Sequence, residues 1–344
     1  MKIELKGLNT SETREWVESL GIESYRATQI RQWLFKRLVS SFDEMTNISI
    51  SLRKLLKEKA RITNLEKVTV QVSKDTTEKY LFRLHDGHFI ESVLIPERGH
   101  YTLCISSQAG CAMGCAFCHT ARMGLKRNLS PAEIIDQVIE VKRSMKEPDR
   151  LTNIVFMGMG EPLANYEAVL KVLNNLISDD GMNYSHRKVT ISTSGLVSVF
   201  DRLGRDTTVN LAVSLNAADD DTRTRLMPIN RKYNLESLVS ACRNFPLPNR
   251  RMITFEYILI KGINDRSTDA KNLVKLLKGI RAKINLIPLN PGPDPAMTAP
   301  LLEDIIAFQD ILAENHYTAI IRKSKGQDIS AACGQLSGAY SPSI

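Results

Sequence analysis

The chain has 344 residues, 43% of them hydrophobic, with 46 Lys and Arg against 38 Asp and Glu for a formal net charge of +8. That is enough apolar material for one large core, or a core with a small accessory domain, and no run approaches the ~18 apolar residues of a membrane span. The opening MKIELKGLNTSETREW has no apolar signal region, so a cytoplasmic protein is expected, with its six cysteines as reduced thiols or ligands and not as a disulfide framework.

A sequence pI near 9.1 suits a nucleic-acid partner without requiring one. The distribution says more: residues 1–61 hold twelve Lys and Arg against eight Asp and Glu, so +4 of the +8 sits at the front. This region reads as three short amphipathic helices. Residues 10–20 form the first, with Thr10 or Ser11 as N-cap and Gly21 as the stop. Residues 24–39 form the second, with Ile30, Trp33, Leu34 and Leu38 on one face and Arg26, Arg31, Lys36 and Arg37 largely on others. The third, around 50–60, turns Leu52, Leu55 and Leu56 inward and Arg53, Lys54, Lys57 and Lys59 outward. Any single lysine here merely solvates its helix; as a group, the charges point to an RNA-docking domain over residues 1–65.

From about 66 the pattern changes to strands. VTVQVS, KYLFRL and HFIESVLI are β-rich, and HDGH at 85–88 carries the Asp-Gly hairpin signal. Residues 66–96 are therefore expected as a β-hairpin extension or linker on the edge of the next domain.

CISSQAGCAMGCAFC, residues 104–118, holds four of the six cysteines. Cys111, Cys115 and Cys118 are spaced C-x3-C-x2-C, and closely spaced thiolates are how iron–sulfur clusters are held. Three cysteines leave one iron of a cubane without a protein ligand. Zinc is the alternative: it wants a fourth Cys or His, which Cys104 could supply, whereas His119 is too near Cys118 to fold back easily. Gly110 and Gly114 allow tight turns and Phe117 can shield the site.

Beyond the loop, strands and helices alternate: a helix over 130–146 that starts at Ser130-Pro131 with Glu133, then LTNIVFMG, NYEAVLKVLNNLI, RKVTIST, LVSVFDRL, VNLAVSLN and onward to TAIIRKS. Such alternation predicts parallel strands with crossover helices. Counting the strand at 101–107, there are six units and a terminal strand, short of a closed eightfold barrel. With no GxGxxG loop to support a doubly wound sheet, the expectation is an α/β fold built as a partial (β/α)6 barrel over residues 97–330. The unusual motifs then fall at the C-terminal strand ends, where such barrels keep their active sites. A Gly158–Glu161 loop follows the second strand, STSG the third, SLN ends the fourth, and Asn290 follows the sixth. Cys242, on a helix, reads as a small hydrophobe. Cys333 lies in KGQDISAACGQL, a polar segment that could fold over the barrel mouth.

The cysteine spacing, with an aromatic before the last Cys, resembles the signature of radical S-adenosylmethionine (SAM) enzymes. Together with ESVLIPE at 91–97, FMGMGEP at 156–162, STSG at 192–195, SLN at 214–216 and AACGQL at 331–336, it resembles the RlmN/Cfr family of RNA adenine methyltransferases over most of the chain. The resemblance implies the radical SAM barrel with a small N-terminal helical domain, one [4Fe-4S] cluster on Cys111, Cys115 and Cys118, and SAM bound to the open iron. It implies SAM contacts from Gly160, Glu161, Ser192, Ser214, Leu215, Asn216 and Asn290, and a catalytic tail over 331–344. An adenine ring carbon is a poor nucleophile, whereas a thiolate attacks a sulfonium methyl readily. In the family, the residue at Cys333 takes a methyl from one SAM; a 5′-deoxyadenosyl radical from a second SAM removes hydrogen from that S-methyl group, and the carbon radical adds to adenine. Cys104 then frees the product through a transient disulfide with Cys333, and Glu91 matches the proton acceptor, although alone it reads as an exposed strand carboxylate. The substrates implied are 23S rRNA near the peptidyl transferase centre and, in many relatives, a tRNA anticodon loop, with a flavodoxin-like electron donor and a monomeric enzyme. Pro162 and LIPLN at 286–290 favour the branch that methylates C2 over the C8 branch. A metal-stabilised RNA-binding protein without catalysis is the alternative from another class.

Overall fold

A computed structural model describes residues 2–338. Ten strands make up its main sheet: β1 Glu66–Val72, β2 Glu78–Arg83, β3 Phe89–Glu97, β4 His100–Cys104, β5 Leu151–Phe156, β6 Val189–Thr193, β7 Asn210–Ser214, β8 Ile253–Leu259, β9 Ala282–Pro288 and β10 Thr318–Ile321. Sequence order is spatial order throughout, from β10 at one edge to β1 at the other. Strands β1 to β4 pair antiparallel and β4 to β10 parallel. The parallel part is the expected six units and a terminal strand, and no pairing closes β10 onto β1 among the described residues. The preceding β strands are not a separate linker: Val93 pairs with Cys104 and Glu97 with His100, so they extend the same sheet.

Period-two alternation decides what the sheet encloses. Ile191, Leu211, Val213, Ile253, Phe255, Ile284 and Leu286 are buried in the main core. Their alternates Thr190, Ser192, Ala212, Ser214, Thr254, Glu256, Lys283 and Asn285 line a cavity of about 800 Å³. Closed barrels of this kind fill their interiors with branched apolar side chains; this one keeps polar groups facing open space. No helix is long and apolar enough to cross a membrane among the described residues.

The three N-terminal helices are present as α1 Thr10–Ser19, α2 Tyr25–Phe35 and α3 Ile50–Lys59. The first is capped by Asn9 and not by Thr10 or Ser11: Asn9 accepts from the Glu12 amide, and Glu12 returns the bond to the Asn9 amide. Arg31 was expected on an outer face but is fully buried, bonded to Asp180 at 2.8 Å and to Asn175 Oδ1 at 2.9 Å. Lys6 is likewise buried, paired with Asp136 and donating to the Thr63 carbonyl at 2.6 Å. These two cations fasten the helical region to the barrel, whereas Lys36, Arg37, Lys54, Lys57 and Lys59 remain exposed. Asp136→Ala strands a buried ammonium without its counterion, which costs about 3–5 kcal/mol. The expected result is a loss of unfolding free energy of that size by denaturant titration, measured against Lys57→Ala, whose exposed pair with Asp43 contributes little.

Candidate active site

The cavity is lined by five of the six cysteines, Cys104, Cys111, Cys115, Cys118 and Cys333. All six are free thiols; the sixth, Cys242, is buried on the helix Leu235–Asn244, as expected of a small hydrophobe. The loop after β4 is shaped by Gly110 at φ +77°, where a Cβ would meet the Gly124 carbonyl oxygen at 1.9 Å. It is pinned by Ala116 N–H to the Leu226 carbonyl at 2.9 Å and Cys111 N–H to the Gly124 carbonyl at 3.2 Å. Phe117 and Cys115 pack on an apolar cluster of Leu226, Met227, Ile258, Ile260, Ile287 and Leu289.

Burial raises the Cys111 thiol to about 12, and neighbouring Glu161 and Cys118 act in the same direction. Cys115 is raised by burial, then by Cys118, Cys111 and Glu161. Such thiols stay protonated until a cation displaces their protons. Among the described residues, no group of three or more His, Cys, Asp or Glu side chains is arranged to hold a metal ion. Zinc needs four ligands converging on one point, whereas each thiolate of a cubane sits on a different iron. Cys104 does not join the three: after burial, the charge that acts on its thiol is that of Cys333. The residues therefore fit a cluster better than a zinc site completed by Cys104.

The GMGE loop after β5 is held by its own scaffold. Gly158 N–H reaches the Ile105 carbonyl at 3.1 Å, and a Cβ on Gly160, at φ +100°, would lie 2.5 Å from the Gln108 side chain. The close approach these glycines permit is thus to the β4 loop, which brings their main chain to the cavity rim. Buried Glu161 accepts from Ser194 N–H and Oγ, both at 2.7 Å, and from Leu163 N–H at 3.0 Å. Burial raises its carboxyl in spite of those donors.

Ser192, Ser214, Asn216 and Asn290 all line the cavity. Leu215 does not: it is fully buried, its N–H is given to the Glu256 carbonyl and its carbonyl accepts from Arg223. Asn216, at φ +59°, also spends its side chain inside the protein, accepting from Ile258 N–H at 2.8 Å. Arg223 has no counterpart in the sequence reading. Fully buried, it donates to the Leu215 and Ser194 carbonyls at 3.1 and 2.8 Å and to Asn230 Oδ1 at 2.8 Å, joining the STSG and SLN loops. Burial lowers it to about 10, although Cys115 and Asp220 act in the opposite direction. Its run DDDTRTRL reads as a solvated helix, so the sequence carries no signal for it.

The tail folds over the mouth. His119 N–H, next to Cys118, donates to the Gly334 carbonyl at 2.8 Å, and Thr120 Oγ1 to the Leu336 carbonyl at 2.6 Å. Asn290 Nδ2 donates to the Cys333 carbonyl at 3.1 Å. Glu91 is not the exposed strand carboxylate that its residue type suggests: it is buried, ion-paired with Lys79 at 3.1 Å, and accepts from Ser337 and Gly338 N–H at 2.8 and 2.9 Å. Cys333 keeps accessible surface because it faces the cavity, yet its depth there raises the thiol to about 11, with Glu256 adding to the effect and Arg322 opposing it. Alkylation of Cys333 by iodoacetamide is therefore expected to rise about tenfold per pH unit from 7 to 10 without the plateau of an ordinary thiol. Peptide mass spectrometry measures it; a plateau near pH 8.5 contradicts the raised value.

The chain is similar to known proteins over most of its length. A family model for the ribosomal RNA large subunit methyltransferase N-terminal domain matches residues 3–62, and one for the radical SAM superfamily matches residues 105–274. The chain is 52% identical over 98% of its length, and 97% of the relative's, to the dual-specificity RNA methyltransferase RlmN of Syntrophus aciditrophicus. It is 53% identical to the protein of that name from Desulfosudis oleivorans, over 97% of this chain and 90% of the relative. A crystal structure of a radical SAM methyltransferase from Sphaerobacter thermophilus superposes with a TM-score of 0.93 at 44% identity, covering 98% of this chain and all of the other.

Proposed function

The chain belongs to the RlmN family of radical SAM RNA methyltransferases, and from that premise we propose that it methylates C2 of adenosine in 23S rRNA and in a tRNA anticodon loop, with Cys333 as methyl carrier. The observation that carries this reading is the tie between the tail and the cysteine loop: the main chain of Gly334 is bonded to His119, so the carrier thiol shares a cavity with Cys111, Cys115 and Cys118.

Cys111, Cys115 and Cys118 would hold a [4Fe-4S] cluster, with SAM seated against Gly160, Glu161, Ser192, Ser214, Asn216 and Asn290 and with Leu215 fixing the rim loop beneath. Bound there, these groups supply the methyl group and the one-electron chemistry that breaks a C–H bond. The chain's own residues do the rest. Cys333 must lose its proton to accept a methyl group, and its thiol at about 11 makes that deprotonation a controlled step. Cys104, buried at the end of β4 and electrostatically coupled to Cys333, is suited to release the RNA adduct through a transient disulfide. Glu91 becomes available as proton acceptor once residues 337–338 withdraw from its carboxylate. The exposed lysines of α3 suit phosphate contacts, and a target base reaches such a cavity only out of its stack. The enzyme acts as a cytoplasmic monomer drawing electrons from a flavodoxin-like donor.

The test is reconstitution without oxygen, with SAM and a strong reductant, on rRNA and tRNA separately. The expected product in both is 2-methyladenosine by nucleoside mass spectrometry. 8-Methyladenosine as main product overturns the C2 assignment; a colourless zinc protein that forms neither overturns the radical reading.

A further inference from the structure

One carboxylate of the barrel enters the chemistry above only through its effect on the Cys333 thiol. Glu256 sits in the middle of β8, a strand whose seven residues are all buried, and is itself 9% exposed. It lies in register with Ser214 on β7 and Asn285 on β9, and all three line the cavity. Asn285 Nδ2 donates to Glu256 Oε1 at 2.9 Å. Among the described residues, no protein group donates to Glu256 Oε2 or to Asn285 Oδ1, and leaving such groups unmatched next to a dry ligand is costly. The charged and titratable groups that act on this carboxyl are Arg322, Lys283 and the Cys333 thiol. Burial raises its carboxyl, against the Asn285 amide, Arg322 and Lys283, which act the other way.

We propose that Glu256, together with Asn285, reads the Watson–Crick edge of the unstacked adenine, Glu256 pairing with N1 and Asn285 Oδ1 accepting from the N6 amine. The inference rests on the adenine reading above and deepens it. A carboxyl that donates and an amide oxygen that accepts match adenine N1 and N6, a pattern that cytosine N3 and N4 share and that guanine and uracil lack. C2 lies next to N1, so a bond to N1 both orients C2 toward the methyl carrier and draws electron density from the ring carbon that must accept it. Cys333, the carrier, is near enough for Glu256 to shift its thiol.

The experiment compares wild type, Glu256→Ala, Glu256→Gln and Asn285→Ala on two RNAs, one with the target adenosine and one with purine riboside there, which lacks the N6 amine. Three readouts are taken: S-methylation of Cys333 by mass spectrometry, reductive SAM cleavage, and base methylation. Expected for Glu256→Ala is a drop of about 10–100-fold in base methylation of adenosine RNA, with Cys333 still methylated to completion and SAM still cleaved. Glu256→Gln, whose amide also donates and accepts, recovers at least part of that loss. Purine riboside costs the wild type about 10-fold or more but costs Asn285→Ala little further. The proposal is overturned if Glu256→Ala methylates adenosine normally, if Asn285→Ala discriminates against purine riboside as wild type does, or if the Glu256→Ala defect is a raised KM for SAM or a lost SAM cleavage, which would put the carboxyl on the cofactor. Failure of wild type to methylate any adenosine, with Cys333 methylated, refutes the parent reading instead.

Discussion

Cys333→Ala should lose RNA methylation by on the order of 10⁴-fold or more, while it still binds iron and still cleaves SAM under reductant. The size follows from the role: a nucleophile that carries the transferred group cannot be replaced by proximity alone. The separation of readouts follows from the structure. The tail is docked through main-chain atoms of Cys333, Gly334 and Leu336 and by the Glu91 carboxylate, so removing one sulfur leaves its anchoring in place. Quantifying methyladenosine and 5′-deoxyadenosine in the same reaction checks this. Substantial methyladenosine from the variant would refute the carrier role; loss of both products would mean that the thiol shapes the site and does not carry the methyl group.

Cys111→Ala should bring iron from about four per chain to near zero and abolish both SAM cleavage and methylation. Cys111 is buried beside Glu161 at the foot of the loop, and its main-chain N–H already bonds to the Gly124 carbonyl. The loop therefore has little freedom to bring another donor into its place. Cys242→Ala is the control: its sulfur packs under the helix Leu235–Asn244, away from the cavity lining, and iron content should not change. Iron and sulfide analysis of anaerobically reconstituted protein decides. Full iron loading of Cys111→Ala would remove that residue from the ligand set.

The cysteine spacing, the six alternating units, the strand-end motifs and the N-terminal helices are all properties of local order, and local order was legible. Spacing within a loop and period within a strand are written directly in the chain. The lone carboxylate of ITFEYIL drew no reading from the sequence, because nothing local says what it faces. Four matters belonged to tertiary structure alone. Arg31 read as an outer-face cation and Lys6 only as one of the front charges, because nothing local reports Asp180 and Asp136, which lie 149 and 130 residues further along. Glu91 read as an exposed carboxylate because its partners Ser337 and Gly338 come from the far end of the chain. Arg223 joined two loops by bonding to carbonyls, which any sequence supplies. The polar lumen appeared only when seven strands stood side by side in register. Sequence fixes which groups a segment can offer, by residue type and period; which of them meet, and whether water or protein surrounds them, is decided by contacts across the chain that no window of residues contains.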